Sequence, residues 1–217
     1  MNERRQPSPD RETVFIVDDD ASICESLSNL LDAVNIPAEH YSSVEEFWEN
    51  WSGPRPGCLL LDARLPGLSG VEFQEKLRAS GVGIPVVFMT AHGDMPMVRK
   101  VMKAGAIEFL IKPFQKEELL NAVEQAFALD RSRREEEEML GSIRARIASL
   151  TDREREVMIM VTAGLLNKQI AAKLNLSEIT VKFHRRRVMD GMHAESLADL
   201  VKMCERARLP SWTKKTS

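Results

Sequence analysis

Short apolar runs alternate with longer amphipathic ones through the first 128 residues. "TVFIV" (13–17) and "CLLL" (58–61) are continuous apolar runs bounded by charged or turn residues, the pattern of strands covered on both faces. "PVVFM" (85–89) and "AIEFLI" (106–111) read as the fourth and fifth strands, and "AEHY" (38–41) reads as a weaker second strand. Between them, "ASICESLSNLLDAV" sets Ile23, Leu27, Leu30, Leu31 and Val34 at helical spacing. "SSVEEFWENW" predicts a short helix, and "SGVEFQEKLRAS" one that begins near Ser69 and stops at Gly81. "DMPMVRKVMKAG" predicts a helix capped by Asp94 and stopped by Gly105, and "KEELLNAVEQAFAL" a last one. Five strands alternating with five helices predict an α/β doubly wound domain on a five-stranded parallel sheet, spanning 13–128. Residues 1–12, charged and proline-bearing, predict a disordered tail.

The periodicity then changes. Residues 129–149 predict a helical or partly helical linker, with Arg131–Glu135, Arg133–Glu137 and Arg134–Glu138 at i,i+4 spacing. Leu140, Ile143, Ile147 and Leu150 form an apolar stripe that must pack on something, while Gly141 weakens the expectation of an unbroken helix. Four short helices follow in 150–209, an all-α unit. The first opens on a capping box, Thr151 and Glu154, and closes at Gly164. "NKQIAAKLN" is capped by Asn167, the third helix starts at Ser177, and the fourth runs from Ser196 to just before Pro210. Residues 210–217 predict a frayed end.

Charge separates the same halves. The net is −9 over 1–130, +1 over 131–150 and +5 over 151–217, so only the back of the chain suits a polyanion. No apolar run reaches the ~18 residues of a membrane span, and the N-terminus lacks the apolar segment of a signal peptide, so a cytoplasmic protein is expected. Cys24, Cys58 and Cys204 are far apart and form no CxxC, which points to buried apolar roles rather than a disulfide or a zinc site.

In a parallel sheet the carboxyl ends of the strands lie on one edge. Asp18 and Asp19 follow the first strand, Asp62 the third, Thr90 the fourth and Lys112 the fifth. Three carboxylates, a hydroxyl and an ammonium make one coherent site, and oxygen ligands of this kind suit Mg²⁺. Asp62 is then a nucleophile toward phosphorus, forming an aspartyl phosphate, with Thr90 hydrogen-bonding the phosphoryl group and Lys112 balancing its charge. Asp20 is better read as a helix cap. No GxxxxGK[ST] or strand-linked GxGxxG competes for phosphate.

On a wheel centred on Val181, residues His184, Arg185, Val188 and Met192 fall toward the domain, with Arg185 at the edge. Ile179, Lys182, Phe183, Arg186, Arg187 and Asp190 fall on the other side. A basic face with exposed Ile and Phe fits the DNA major groove, where Lys and Arg read guanine edges and apolar groups touch thymine methyls. An ordinary basic surface is the alternative. The preceding short helix and its turn make the pair a helix-turn-helix, whose second helix enters the groove.

"IVDDD", "LLLDARLPGLSG", "VVFMTAHGD", "MKAGA" and "FLIKPF" resemble the receiver domain of two-component response regulators, a flavodoxin-like fold. The run from "LTDREREVM" through "GLLNKQIAAKLNLSEITVKFHRRRVMDGM" resembles the LuxR/FixJ-type (NarL-like) DNA-binding domain. Together the chain resembles a FixJ-family transcriptional regulator.

The resemblance implies phosphotransfer from a partner sensor histidine kinase to Asp62. It implies a Mg²⁺ site in which Asp19 binds directly, Asp18 acts largely through water, and Asp62 and the Arg64 backbone carbonyl complete the protein ligands. Lys112–Pro113 would be cis, Thr90 and Phe109 would form the switch, and Ala91 is the small residue expected after the threonine. Arg64 and His92 stand where the family influences phosphoryl hydrolysis. Lys182, Phe183 and Arg186 would lie nearest base edges of double-stranded promoter DNA, with Asn167, Lys168, Thr180, Arg185 and Arg187 nearer phosphates. An aspartate at 190, near which relatives usually carry a basic residue, puts a backbone contact in doubt or adjusts base preference. Phosphorylation would produce a homodimer through the surface from Met97 to Phe109, and the final helix (Leu197, Leu200, Val201, Cys204) either dimerises or simply packs. The implied function is a transcriptional regulator, an activator acting with RNA polymerase, and not an enzyme in the usual sense. A regulator that binds DNA without phosphorylation is the alternative. A Mg²⁺-dependent aspartyl-phosphate phosphatase would need substrate-binding elaboration that a domain of about 120 residues lacks.

Overall fold

The computed structural model describes residues 11–66, 70–91, 99 and 105–209. The expected Asp94 cap, His92, the helix start near Ser69, the 210–217 tail and most of the Met97–Phe109 surface and of the 1–12 tail lie outside the described residues. The chain divides into two compact units that part between Arg133 and Arg134.

The first unit carries five strands: β1 (Thr13–Val17), β2 (Ala38–Tyr41), β3 (Gly57–Asp62), β4 (Val86–Thr90) and β5 (Glu108–Ile111). All pair in parallel, in the order β2-β1-β3-β4-β5. Alternate residues of the central strands feed opposite cores, as a sheet covered on both faces requires. Phe15, Val17, Leu59, Leu61, Val86 and Phe88 enter one core, with Phe47 and Phe73. Val14, Ile16, Cys58, Leu60, Val87 and Met89 enter the other, with Leu27, Leu31, Leu119 and Val123. The strand order reverses direction between β1 and β3, so the crevice at their carboxyl ends is the switch point of the fold.

Helices α1 (Ala21–Asp32), α2 (Val44–Asn50) and α3 (Gly70–Ala79) lie where the periodicity places them. Asp20 caps α1 by accepting from the Ser22 backbone N–H at 2.9 Å, and Ser43 caps α2. The fourth predicted helix, 94–105, falls almost wholly outside the described residues. Gly57 opens β3 with φ +149°, and a Cβ there would stand 2.0 Å from the Thr13 carbonyl oxygen, so only glycine fits.

Helix α4 runs unbroken from Lys116 to Ser149. Gly141 does not interrupt it, because the helix is held on both sides of that residue. Leu119, Ala122, Val123, Ala126 and Phe127 join the first unit's core, while Ile143 and Ile147 join the second's. Arg131 pairs with Glu12 (2.8 Å) and Glu124 (2.9 Å) rather than with Glu135, and Arg133 pairs with Asp130 (2.6 Å). For Arg131, where Arg before Glu is the weaker helical order, acceptors presented elsewhere take the place of Glu135.

In the second unit, α5 (Asp152–Thr162), α6 (Asn167–Leu174), α7 (Glu178–Met192) and α8 (Leu197–Arg206) surround one core. It contains Ile143, Ile147, Leu150, Val157, Met158, Ile170, Val181, Val188, Met192, Leu200 and Cys204. Of the expected stripe, Ile143, Ile147 and Leu150 therefore pack within the helical unit, while Leu140 lies outside that core and is half-buried. Thr151 and Glu154 form the capping box of α5, and Ser177 caps α7. Asn167 is not the cap of α6. It is the first helical residue, the backbone N–H of Leu166 is met by Gln169 Oε1 at 2.8 Å, and the Asn167 side chain is used elsewhere.

Candidate functional site

β1 runs straight into the aspartates. Asp18, the next residue, is 1% exposed, and Asp19 beside it is exposed. Asp62 ends β3 and is 9% exposed. Carboxylate oxygens of Asp18, Asp19 and Asp62 lie within 4.8 Å of one another. Lys112, one residue past β5, reaches across β3 and β4 with its side chain. Its Nζ donates to Asp18 Oδ2 at 2.5 Å and to Asp62 Oδ2 at 3.2 Å. The Lys112 backbone N–H donates to the Thr90 carbonyl at 2.8 Å, and the following Lys112–Pro113 peptide is cis. Thr90 is fully buried at the end of β4, pairing in register with Ile111. The Arg64 backbone N–H donates to Asp62 Oδ1 at 3.0 Å, closing the turn after β3. Phe109, on β5, is half-buried and packs against the core that contains Phe88. Ala91 follows Thr90 and is exposed.

The electrostatics follow from burying acids beside one ammonium. Burial pushes the Asp18 carboxyl above the usual range, and the hydrogen bonds from Lys112 and the Asp20 N–H recover only part of that. Burial also works against the Lys112 ammonium, but Asp18 and Asp62 outweigh it and hold its pKa above that of a free lysine. Three carboxylates against one nearby ammonium leave the pocket with excess negative charge. Hard oxygen donors at this spacing fit a small divalent cation better than any soft metal.

The second cluster lies on the helix pair α6–α7. Ile179, Phe183, Lys182, Arg186, Arg187 and Asp190 are exposed, Ile179 by 79% and Phe183 by 59%, while Val181, Val188 and Met192 are buried. The helical wheel thus matches the burial. His184 and Arg185 are half-buried at the edge, and Lys168 on α6 is exposed. The basic residues are also tethered. Arg185 donates to Asn167 Oδ1 at 2.9 Å, which ties α7 to α6. Arg187 Nε stands 3.5 Å from Glu154 Oε1 on α5, and Arg186 Nε 3.9 Å from Asp190 Oδ2. The Thr180 hydroxyl shares a 2.8 Å hydrogen bond with Ser177.

Sequence reasoning missed two tertiary partners. Asp130, 1% exposed, accepts from the Gly57 backbone N–H at 3.0 Å and from Arg133, at the edge opposite the acidic pocket. The signal was present: Asp130 continues the buried stripe of Ala122, Val123, Ala126 and Phe127, and an acid in such a stripe demands a donor. The capping box uses one oxygen of Glu154, and the second faces Arg187, a partner the local motif does not encode.

Among the described residues no helix is long and apolar enough to cross a membrane. Residues 14–124 match the response regulator receiver domain, and residues 148–204 match the luxR family of bacterial regulatory proteins. Nodulation protein W of Bradyrhizobium diazoefficiens is 45% identical over 192 residues, covering 88% of this chain and 85% of that protein. The transcriptional regulatory protein FixJ of Rhizobium meliloti is 39% identical, over 88% and 94% of the two chains. The solved structure of the response regulator StyR superposes with a TM-score of 0.80 at 46% identity, covering 90% of this chain and 99% of that one. Fold, acidic pocket and basic helix pair therefore share one explanation: the chain belongs to the two-component response regulators that join a receiver domain to a luxR-family DNA-binding domain.

Proposed function

We propose that this protein is cytoplasmic, that Asp62 is the phosphoacceptor, taking a phosphoryl group from the phosphohistidine of a partner sensor kinase, and that the modification switches on sequence-specific binding to promoter DNA. The observation that carries this reading is the convergence of Asp18, Asp19 and Asp62 within 4.8 Å, with Lys112 bonded to two of them. A carboxylate oxygen of Asp62 attacks phosphorus, the P–N bond breaks as the P–O bond forms, and the imidazole leaves with its proton. Asp18, Asp19, Asp62 and the Arg64 carbonyl would hold Mg²⁺, which when bound offsets charge on the phosphoryl oxygens. Lys112 is already oriented to meet one of those oxygens. Thr90, buried at the end of the adjacent strand, supplies a hydroxyl, and Phe109 on β5 follows its movement.

On the other unit, Lys182, Phe183 and Arg186 read base edges from the exposed face of α7. Asn167, Lys168, Thr180, Arg185 and Arg187 sit nearer phosphates. Phosphorylation drives homodimerisation, which sets two α7 helices on paired half-sites, and the dimer activates transcription with RNA polymerase. Asp62 turns over once on its own chain, so the protein acts as a switch and not as an enzyme. Labelling with acetyl phosphate and Mg²⁺ tests the acceptor. The wild type should incorporate phosphate and bind a selected duplex more tightly afterwards, and Asp62→Ala should do neither while keeping its fold. Undiminished labelling of Asp62→Ala removes Asp62 as acceptor, and equal DNA binding with and without phosphodonor removes the switch.

A further inference from the structure

Asp190 stands where three physical effects oppose it. It occupies the last turn of α7, a turn with no basic residue, where the helix dipole disfavours an anion. Its i,i+4 partner is Arg186, and cation before anion is the weaker order for a helical pair. It also lies on the exposed stripe of Ile179, Lys182, Phe183, Arg186 and Arg187, so it repels the phosphates that this face would approach. Helix stability therefore does not account for it. Local rules broken without an evident gain in stability point to function.

The gain lies in the geometry of Arg186. Asp190 Oδ2 faces Nε, 3.9 Å away, and both side chains are open to solvent, 69% and 86% exposed. A carboxylate on the Nε side leaves the two terminal nitrogens of the guanidinium for another acceptor. Those nitrogens form the fork that matches O6 and N7 of guanine. In water such a pair is weak and screened. In a groove that excludes water it strengthens, and it limits the rotamers through which Arg186 could drift to a phosphate.

We infer that Asp190 is a specificity-determining positioning residue: it holds the Arg186 guanidinium end-on toward a guanine, exchanging general DNA affinity for base discrimination. The inference rests on the reading of the exposed face of α7 as the DNA-contacting one.

The test uses the full-length protein, treated with acetyl phosphate and Mg²⁺, as wild type, Asp190→Ala, Arg186→Ala and the double variant. A random duplex pool yields the preferred site. Each position is then varied, and an unrelated duplex is titrated across a salt series. Asp190→Ala should bind the unrelated duplex about 3–10-fold more tightly, with the salt slope steeper by up to about one. It should also lose on the order of 5-fold in preference at one position of each half-site. Arg186→Ala should flatten the same position, and adding Asp190→Ala should flatten it no further. Full preference retained by Asp190→Ala overturns the inference. Loss at a different position from that of Arg186→Ala also overturns it, since Asp190 would then read a base itself. A fall in the thermal midpoint of Asp190→Ala would mark a structural role and overturn it too. If the wild type enriches no sequence, the DNA-binding reading of this face fails, and the inference fails with it.

Discussion

The DNA-binding unit should depend for its stability on the end of α4. Ile143 and Ile147 are 5% and 8% exposed within its core, alongside Leu150 at 5%. Arg146, between them, donates to the Met192 carbonyl at the end of α7 at 3.1 Å, where a cation also meets the negative end of the helix dipole. Truncating Ile147 to alanine removes three buried carbons at ~0.8 kcal/mol each, and the cavity left behind brings the cost to about 2.5–4 kcal/mol. For a unit of this size that corresponds to a fall in melting temperature of roughly 10–30 °C. Starting the chain at residue 150 removes both isoleucines and the Arg146 bond, a loss of about 4–7 kcal/mol against a typical stability of ~5–15 kcal/mol. Thermal melts followed by far-ultraviolet circular dichroism on a 134–217 fragment, its Ile147→Ala variant and a 150–217 fragment measure this. Arg144→Ala, on the exposed side of the same turn, is the control and should change stability by less than ~0.5 kcal/mol. An Ile147→Ala midpoint equal to that of the wild-type fragment would refute the packing argument, as would a 150–217 fragment that melts with 134–217.

Glu39 accepts from Arg55 at 2.6 Å, and that bond, aided by the Tyr41 hydroxyl, holds its carboxyl below the usual range despite burial. A depressed folded-state pKa adds stability above the unfolded value and loses it as pH falls through the folded one. Glu39→Gln should therefore cost the receiver about 1 kcal/mol at pH 7, and urea titrations should show the gap closing below about pH 4. All three thiols are buried: burial, with help from the Asp18 charge, pushes Cys24 up to about 11, and burial raises Cys58 and Cys204 as well. A disulfide reagent at pH 8 should consume no thiol in the native protein and three in denaturant; rapid native reaction at Cys24 would contradict this. Gly57→Ala should unfold the receiver or destabilise it by more than ~3 kcal/mol, because the clash is with backbone, whereas Gly141→Ala, which meets open space inside a helix, should stabilise by up to ~1 kcal/mol. Melting curves for the two glycine variants should shift in opposite directions.

The sequence alone carried the fold class, because binary pattern and punctuation are local. Strands β1, β3 and β4 read as apolar runs, and the cap residues Asp20, Thr151, Ser177 and Ser196 each meet a donor two or three residues away. It also carried the members of the acidic pocket, since a parallel sheet sends every strand's carboxyl end to one edge and so gathers residues far apart in the chain. The exposed face of α7 followed from helical periodicity alone. Tertiary structure decided which atoms meet. That Lys112 bonds Asp18 as well as Asp62, and that Asp18 is the buried member of its pair, depends on strand order and side-chain reach. The pairings Asp130 with Gly57, Arg187 with Glu154 and Arg185 with Asn167 link residues 73, 33 and 18 positions apart, so no local period encodes them. Asn167 shows the limit of local reading: its side chain could cap a helix or bond Arg185, and only the approach of α7 to α6 selects the second. The continuity of α4 through Gly141 has the same origin. Propensity marks a weak point there, and packing of the helix on either side of that residue outweighs it.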